Sequence, residues 1–304
     1  NDNGSPIKNG YRGVDFPNRE YRHENAGWLD DHWRSANLRR SDHCALPPVL
    51  DEPIELGYLR VKFQGNGIVF FDSRGHVQND SDFGLTGGLH SLDENEIEAW
   101  LDSVDVGNAY VNRQITGAIV RRQPFGGWKG SSVGLGAKAG GSDYLLQLGR
   151  WTSTADLTAA PDSDRQWHDS HYGITHDPSA LFCERNELRY LPPPTVVIRA
   201  SADADPAAVR RAIAAAERVN TAVTVSDATT APDDDFVAGL AGLRWGRIRM
   251  IGSVSDSLRR AAAEHDVHII DEPVTASGRL ELRLYLREQA ISQTLHRFGN
   301  VAAT

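Results

Sequence analysis

Cysteine is scarce in this chain of 304 residues, which holds only Cys44 and Cys183. Two thiols cannot build a disulfide framework, and they fit a reduced, cytoplasmic protein. Methionine is scarcer still: Met250 stands alone, and the chain begins Asn1-Asp2-Asn3, so a truncated or rearranged product is the expectation. That N-terminus has neither a basic stretch nor an apolar one after it, and no signal peptide is expected. No apolar run reaches the roughly 18 residues of a membrane span. Positive charge is also in deficit, with 32 Lys and Arg against 41 Asp and Glu and a formal net charge of -9. Nucleic acids and anionic membranes favour a basic partner that displaces counterions, so neither is expected here. Small molecules and other proteins remain as partners.

What is present divides into four stretches. Residues 1–77 are rich in Arg, Asp, His and aromatics with poor helical periodicity. Their clearest signal is Leu59–Phe63, then Gly-Asn-Gly, then Ile68–Phe71, a β-hairpin pattern. Residues 78–151 are glycine-punctuated around one helix, Glu94–Ser103. Asp93 or Ser91 caps it, and Ile97, Trp100 and Leu101 share one face. Ala109–Asn112 reads as a strand. Residues 152–194 read as a linker without a strong period.

From 195 to 304, strands alternate with helices. The strands are Thr195–Arg199, Ala222–Val225, Arg247–Ile251 and Val267–Ile270. Helices are expected from Asp205-Pro206 through Val219, over Phe236–Leu243, and over Asp256–His265. This spacing predicts a small parallel α/β layer. The tail Leu280–Gly299 mixes both patterns and is left open. The turn Ala200-Ser201-Ala202-Asp203 lacks the glycines that a pyrophosphate needs, so no dinucleotide is expected there.

Chemistry-bearing residues concentrate at Gly107–Arg113, Thr116–Val120, Arg122–Lys129 and Ser131–Gly134. Thr116-Gly117-Ala118 is a tight turn of small residues whose amides can face an anion. Pro124-Phe125-Gly126-Gly127 sets an aromatic wall beside a bend. Such a site suits a short apolar chain ending in a carboxylate, although Gly-rich turns also serve as plain fold punctuation. His168, His171 and His176 with Asp169 and Asp177 match no zinc spacing, and no metal site is expected. Glu288, Arg287 and His296 read as surface or interface polar groups.

These motifs, with Asp82–Asp93 before them and Gly136–Gly141 after them, resemble the C-terminal end of the aldehyde dehydrogenase domain of PutA. That family comprises the bifunctional proline dehydrogenase/L-glutamate-γ-semialdehyde (1-pyrroline-5-carboxylate) dehydrogenases. The resemblance runs from about Gln78 to Trp151. Asp177-Pro178-Ser179, Glu187–Tyr190, Gly278–Leu282, Tyr285–Ala290 and His296–Asn300 are similar to the C-terminal, aldehyde-dehydrogenase-like extension of long PutA proteins.

The resemblance implies an α/β fold, a partial aldehyde dehydrogenase-like catalytic segment followed by a small parallel-sheet Rossmann-like domain over 195–304. It implies oxidation of glutamate semialdehyde to glutamate in proline catabolism, with NAD as cofactor. Gly117 and Ala118 would hold the substrate carboxylate through backbone amides, and Phe125 would line the aldehyde site. The family's nucleophile sits in a Gly-Gln-Lys-Cys-Ser-type loop, and neither Cys44 nor Cys183 has those neighbours. The catalytic and cofactor-binding residues are therefore unassigned, and the isolated chain is expected to be inactive. The alternative is a non-catalytic interaction or oligomerisation module that binds itself or a dehydrogenase.

Overall fold

The structure is a computed structural model that describes residues 60–64, 67–71, 79–152, 154–297 and 300–301. In chain order the elements used below are β1 (Arg60–Gln64), β2 (Gly67–Phe71), β3 (Phe83–Gly84), β4 (Thr86–Leu89), α1 (Glu94–Ser103), β5 (Asn108–Val111) and β6 (Trp128–Lys129). They continue with α2 (Ala160–Trp167), β7 (Glu184–Leu191), β8 (Val196–Ala200), α3 (Pro206–Arg218), β9 (Thr224–Asp227) and α4 (Asp233–Val237). The last are β10 (Arg247–Ile251), α5 (Asp256–Glu264), β11 (His268–Ile270), α6 (Gly278–Glu281) and β12 (Arg287–Thr294). The chain divides into two units. One takes Asn1–Ser81, Thr86–Asp105 and Tyr110–Ile115, and the other Asp82–Leu85, Val106–Ala109 and Thr116–Thr304.

In the first unit, β1 and β2 form the expected antiparallel hairpin, with Arg60 opposite Phe71 and Gln64 opposite Gly67. Helix α1 starts where the sequence placed it. The Asp93 carboxylate accepts from Asn95 N at 2.9 Å, and Ile97, Trp100 and Leu101 are buried. Asn79 closes the far end, donating to Ser103 O at 2.6 Å and accepting from Asp105 N at 2.7 Å. These bonds satisfy groups that a helix end leaves without partners.

In the second unit, the expected parallel layer has the order β11-β10-β8-β9, and all three pairings are parallel. The Asp205 side chain caps α3 through Ala207 N, with Pro206 in the first turn. Small residues let α3 approach closely: Ala212, Ala215 and Ala216 cluster with Val196, Ile198 and Ile251. Ile248 and Met250 instead cluster with Leu258 and Ala262 of α5. The period-two alternation of β10 thus feeds two cores.

Three boundaries differ from expectation. Strand β9 begins at Thr224, because Asn220 sits at a φ of 55° and Thr221 Oγ1 donates to Tyr285 O, holding the chain in a turn. Helix α4 begins at Asp233 and ends at Val237, and a separate 3-10 turn covers Leu240–Leu243. The open tail forms α6 and then β12, which pairs antiparallel with β7 from Arg287–Leu191 to Thr294–Glu184. The stretch 152–194, expected as a linker, carries α2 and all of β7. Its anchor is a bidentate pair from Arg211 to the Asp164 carboxylate, both bonds 2.8 Å, with the two side chains 3% and 5% exposed.

Candidate functional site

The glycine-rich segment folds as two short antiparallel runs. Phe125 and Ala139 exchange both backbone bonds, at 3.0 and 2.9 Å. Four residues before Phe125, Arg121 N donates to Gly140 O at 2.9 Å. Ile119 and Gln123 then pair with each other and close a turn over Val120–Arg122, directly after Gly117 and Ala118 in the chain. Gly117 has a φ of 129°, which strains any residue with a Cβ, and it stands next to the Gln123 amide. Both Gly117 and Ala118 are exposed, and Phe125 is half-buried. The run Lys138–Gly140 thus holds Phe125 and Arg121, and the Gln123 side chain between them stands beside Gly117.

Under this framework lies a buried ammonium. Lys138 has no exposed surface, and its Nζ donates to Gly126 O at 2.5 Å and to Asn108 Oδ1 at 3.4 Å. The Asn108 amide donates in turn to Gly126 O at 3.0 Å and Leu85 O at 2.7 Å. The bend after Phe125 is therefore fixed by two donors on one carbonyl. Gly107 makes room for them: a Cβ there would meet Gly126 O at 2.2 Å and Gly127 Cα at 2.9 Å. Gly107→Ala is expected to cost about 1–3 kcal/mol through this backbone clash. Gly242→Ala, where a Cβ meets nothing within 4 Å, is the control, and urea midpoints of the two variants compare them. Equal midpoints would refute the close approach.

Glu288 is not a surface group, as its sequence context suggested; it is 6% exposed. Its Oε2 accepts from Lys138 N at 3.0 Å, and its carbonyl accepts from Trp128 Nε1 at 2.8 Å. The reason is β12 itself. Glu288, Gln289, Ser292 and Gln293 are all buried, so the strand has no polar solvent face to betray its orientation. Arg287 is half-buried, its guanidinium 3.7 Å from the centroid of the Trp128 ring, and His296 is half-buried as well.

Burial pushes Glu288 up from the ordinary carboxylate range, and the nearby Asp143 charge adds to the rise. Burial likewise pushes Lys138 down, with Glu288 opposing. Burial also acts against the charge on Asp143, yet hydrogen bonds from His171 and Tyr190 hold it below its usual value. Those bonds are 3.0 Å from His171 Nε2 and 2.8 Å from Tyr190 Oη, both to Asp143 Oδ2.

The three histidines have separate partners. His168 meets Asp169, His171 meets Asp143 and Tyr190, and His176 meets His171 O. Among the described residues, no group of three or more His, Cys, Asp and Glu is arranged to hold a metal ion. Cys183 is free and half-buried, while Cys44 lies outside the described residues. No helix among the described residues is long and apolar enough to cross a membrane.

At the C-terminal edge of the parallel sheet, between β8 and β10, ligands of this architecture usually bind. Here the Asp203 carboxylate fills that position. It accepts from Ser201 Oγ and from Ser253 N and Oγ, the last two at 3.1 and 2.9 Å, and these bonds lower its pKa to about 2. A fixed carboxylate in this crevice repels a pyrophosphate.

Residues 73–153 match the model of the aldehyde dehydrogenase family. The 1-pyrroline-5-carboxylate dehydrogenase of Staphylococcus saprophyticus is 40% identical over 114 residues, 37% of this chain and 20% of that protein. That of Staphylococcus epidermidis is 44% identical over 96 residues, 31% and 16% of the respective lengths. Among solved structures, Proline Utilization A from Corynebacterium freiburgense aligns with a TM-score of 0.61 at 39% identity, covering 74% of this chain and 24% of that one. The chain therefore spans about 20% of the length of the first of these dehydrogenases.

Asn108 and Lys138 stand inside the motifs Gly107–Arg113 and Gly136–Gly141 without a role of their own, and Asp143 lies outside both. A lysine set among glycine and alanine, with no charged neighbour in Gly134–Ser142, was the available signal.

Proposed function

Starting from a chain similar to part of PutA and of 1-pyrroline-5-carboxylate dehydrogenases, we propose that it supplies the carboxylate-binding end of an L-glutamate γ-semialdehyde dehydrogenase active site in proline catabolism. The exposed Gly117 and Ala118, beside the Gln123 side chain and followed by the Ile119–Gln123 pair that leads to Phe125, carry this reading. The two amides would receive the substrate carboxylate, and the Phe125 ring would lie along the aliphatic chain. NAD would be the hydride acceptor of the complete enzyme.

Aldehyde oxidation also needs a thiolate to form the thiohemiacetal, and neither Cys44 nor Cys183 stands in the family's loop. The purified chain mixed with NAD and 1-pyrroline-5-carboxylate is therefore expected to give a flat NADH trace. In the same sample, L-glutamate should shift the Gly117 and Ala118 amide resonances. Steady turnover abolished by Cys44→Ala would overturn the first expectation, and unmoved amides would overturn the second.

A second reading is a non-catalytic interaction module. The exposed apolar side chains Val120, Val133, Leu145, Leu148 and Phe182 favour it. Sedimentation velocity distinguishes the two, since self-association without any glutamate effect would support the module alone.

A further inference from the structure

We infer that Glu288 is a positioning residue for the carboxylate-binding turn, acting from the C-terminal strand 150 positions away in sequence from the Lys138 amide that it holds. The inference rests on the reading of Gly117 and Ala118 given above and extends it to a residue outside the matched segment 73–153.

Hydrogen bonds lead from Glu288 to the Ile119–Gln123 pair, which directly follows Ala118 in the chain. Its carboxylate takes the Lys138 N–H, fixing where the run Lys138–Gly140 starts. Ala139 then registers Phe125 through two bonds, and Gly140 O takes the Arg121 N–H. Gly140, at a φ of 81°, lies so close to Val120 that a Cβ would meet Val120 Cα at 3.0 Å. Ile119 and Gln123 pair next, and the Gln123 Oε1 stands 3.0 Å from where a Cβ on Gly117 would sit. A shift of Lys138 would therefore be passed along these bonds to the pair next to Ala118.

The neighbouring residues of β12 fix the other side of the same segment. The Glu288 carbonyl holds the Trp128 indole, Gln289 Nε2 donates to Val106 O at 2.9 Å, and Ala290 N donates to Gly107 O at 2.9 Å. Glu288 thus acts on both flanks of the Phe125–Gly127 bend, with its side chain on one and its main chain on the other. A neutral apolar residue at 288 would keep the main-chain bonds and lose the side-chain bond alone. That separation makes the role testable.

The groups that face the Glu288 carboxylate are Lys138, Asp143, His171, Tyr172 and Tyr190. Glutamine keeps a carbonyl acceptor for the Lys138 amide in the same shape, whereas alanine removes it.

The experiment uses the full chain, 15N-labelled, as wild type, Glu288→Ala and Glu288→Gln. L-Glutamate is titrated while the Gly117, Ala118 and Phe125 amides are followed, and amide exchange of Phe125 and Ala139 is measured without ligand. For Glu288→Ala a dissociation constant raised about tenfold is expected, with faster exchange at Phe125 and Ala139, and Glu288→Gln should restore most of both. Unchanged exchange and affinity in Glu288→Ala would overturn the positioning role. If wild type ignores glutamate, the carboxylate reading fails by itself, and the ligand-free exchange still decides whether Glu288 positions the turn. Should Glu288→Ala not fold, Glu288→Met, which keeps the side-chain volume without an acceptor for Lys138 N, is compared with Glu288→Gln. Equal exchange at Ala139 in those two would also overturn it.

Discussion

Glu281→Leu is expected to destabilise the chain by about 3–5 kcal/mol, the usual cost of removing one member of a buried ion pair. Arg249 and Glu281 have side chains 0% and 1% exposed, joined at 3.1 Å from Nε and 3.0 Å from Nη2 to one carboxylate oxygen. Burial alone would lower the Arg249 pKa, and the Glu281 charge overrides it, so the guanidinium stays charged. Leucine at 281 would leave that cation inside the unit with only carbonyls, chiefly Glu272 O at 2.7 Å.

Glu281 also accepts from Thr275 N at 3.1 Å and from Tyr285 Oη at 3.3 Å. Adding Arg249→Met should therefore recover part of the loss and not all, because a buried amide without an acceptor still costs about 1–3 kcal/mol. Urea denaturation of the two single variants and the double one forms a cycle that isolates the pair. A loss below about 1 kcal/mol for Glu281→Leu, the range of an exposed pair, would show that water reaches Arg249.

That pair also marks the limit of what could be read from the sequence. Strands β8 and β10 were legible because Val196–Ile198 is an apolar run and Ile248, Met250 and Ile251 crowd apolar side chains between helices, and α3 was legible from Asp205-Pro206. Local chemistry settles such elements. Helix α2, Ala160–Trp167, is mostly polar, and what holds it is Arg211, 47 residues further along. Strand β7 reads Glu-Arg-Asn-Glu-Leu-Arg-Tyr-Leu and β12 reads Arg-Glu-Gln-Ala-Ile-Ser-Gln-Thr. Neither shows a clean alternation, because their polar side chains are matched to each other and to distant backbone, as Arg189 is to Gln289 at 2.8 Å. The turn at Gly117 and Ala118 was visible as small residues, while its meaning came from resemblance. The pairing of Lys138 with Glu288 was invisible, since polar residues are ordinarily exposed and only tertiary structure brings these two together.

The same support should print a dip in stability near neutral pH. Glu288 is raised from 4.5 to about 7, so between those values the unfolded chain has released a proton that the folded chain keeps. The unfolded state then binds fewer protons, and stability falls as pH rises. Lys138 is lowered from 10.5 to about 7, and in that upper window the unfolded chain keeps a proton that the folded chain has lost. There the unfolded state binds more protons, and stability rises with pH. The two slopes meet near neutrality, and because the groups are neighbours the inflections belong to the pair rather than to either residue. Replacing both, Lys138→Met with Glu288→Gln, should remove the two slopes together. The difference in urea midpoint between this variant and wild type is expected to favour the variant most near pH 7 and least toward pH 5 and pH 9. A difference that stays level across that range would mean that neither group pays for its burial in protons, and that water or a rearranged partner keeps both at their ordinary values.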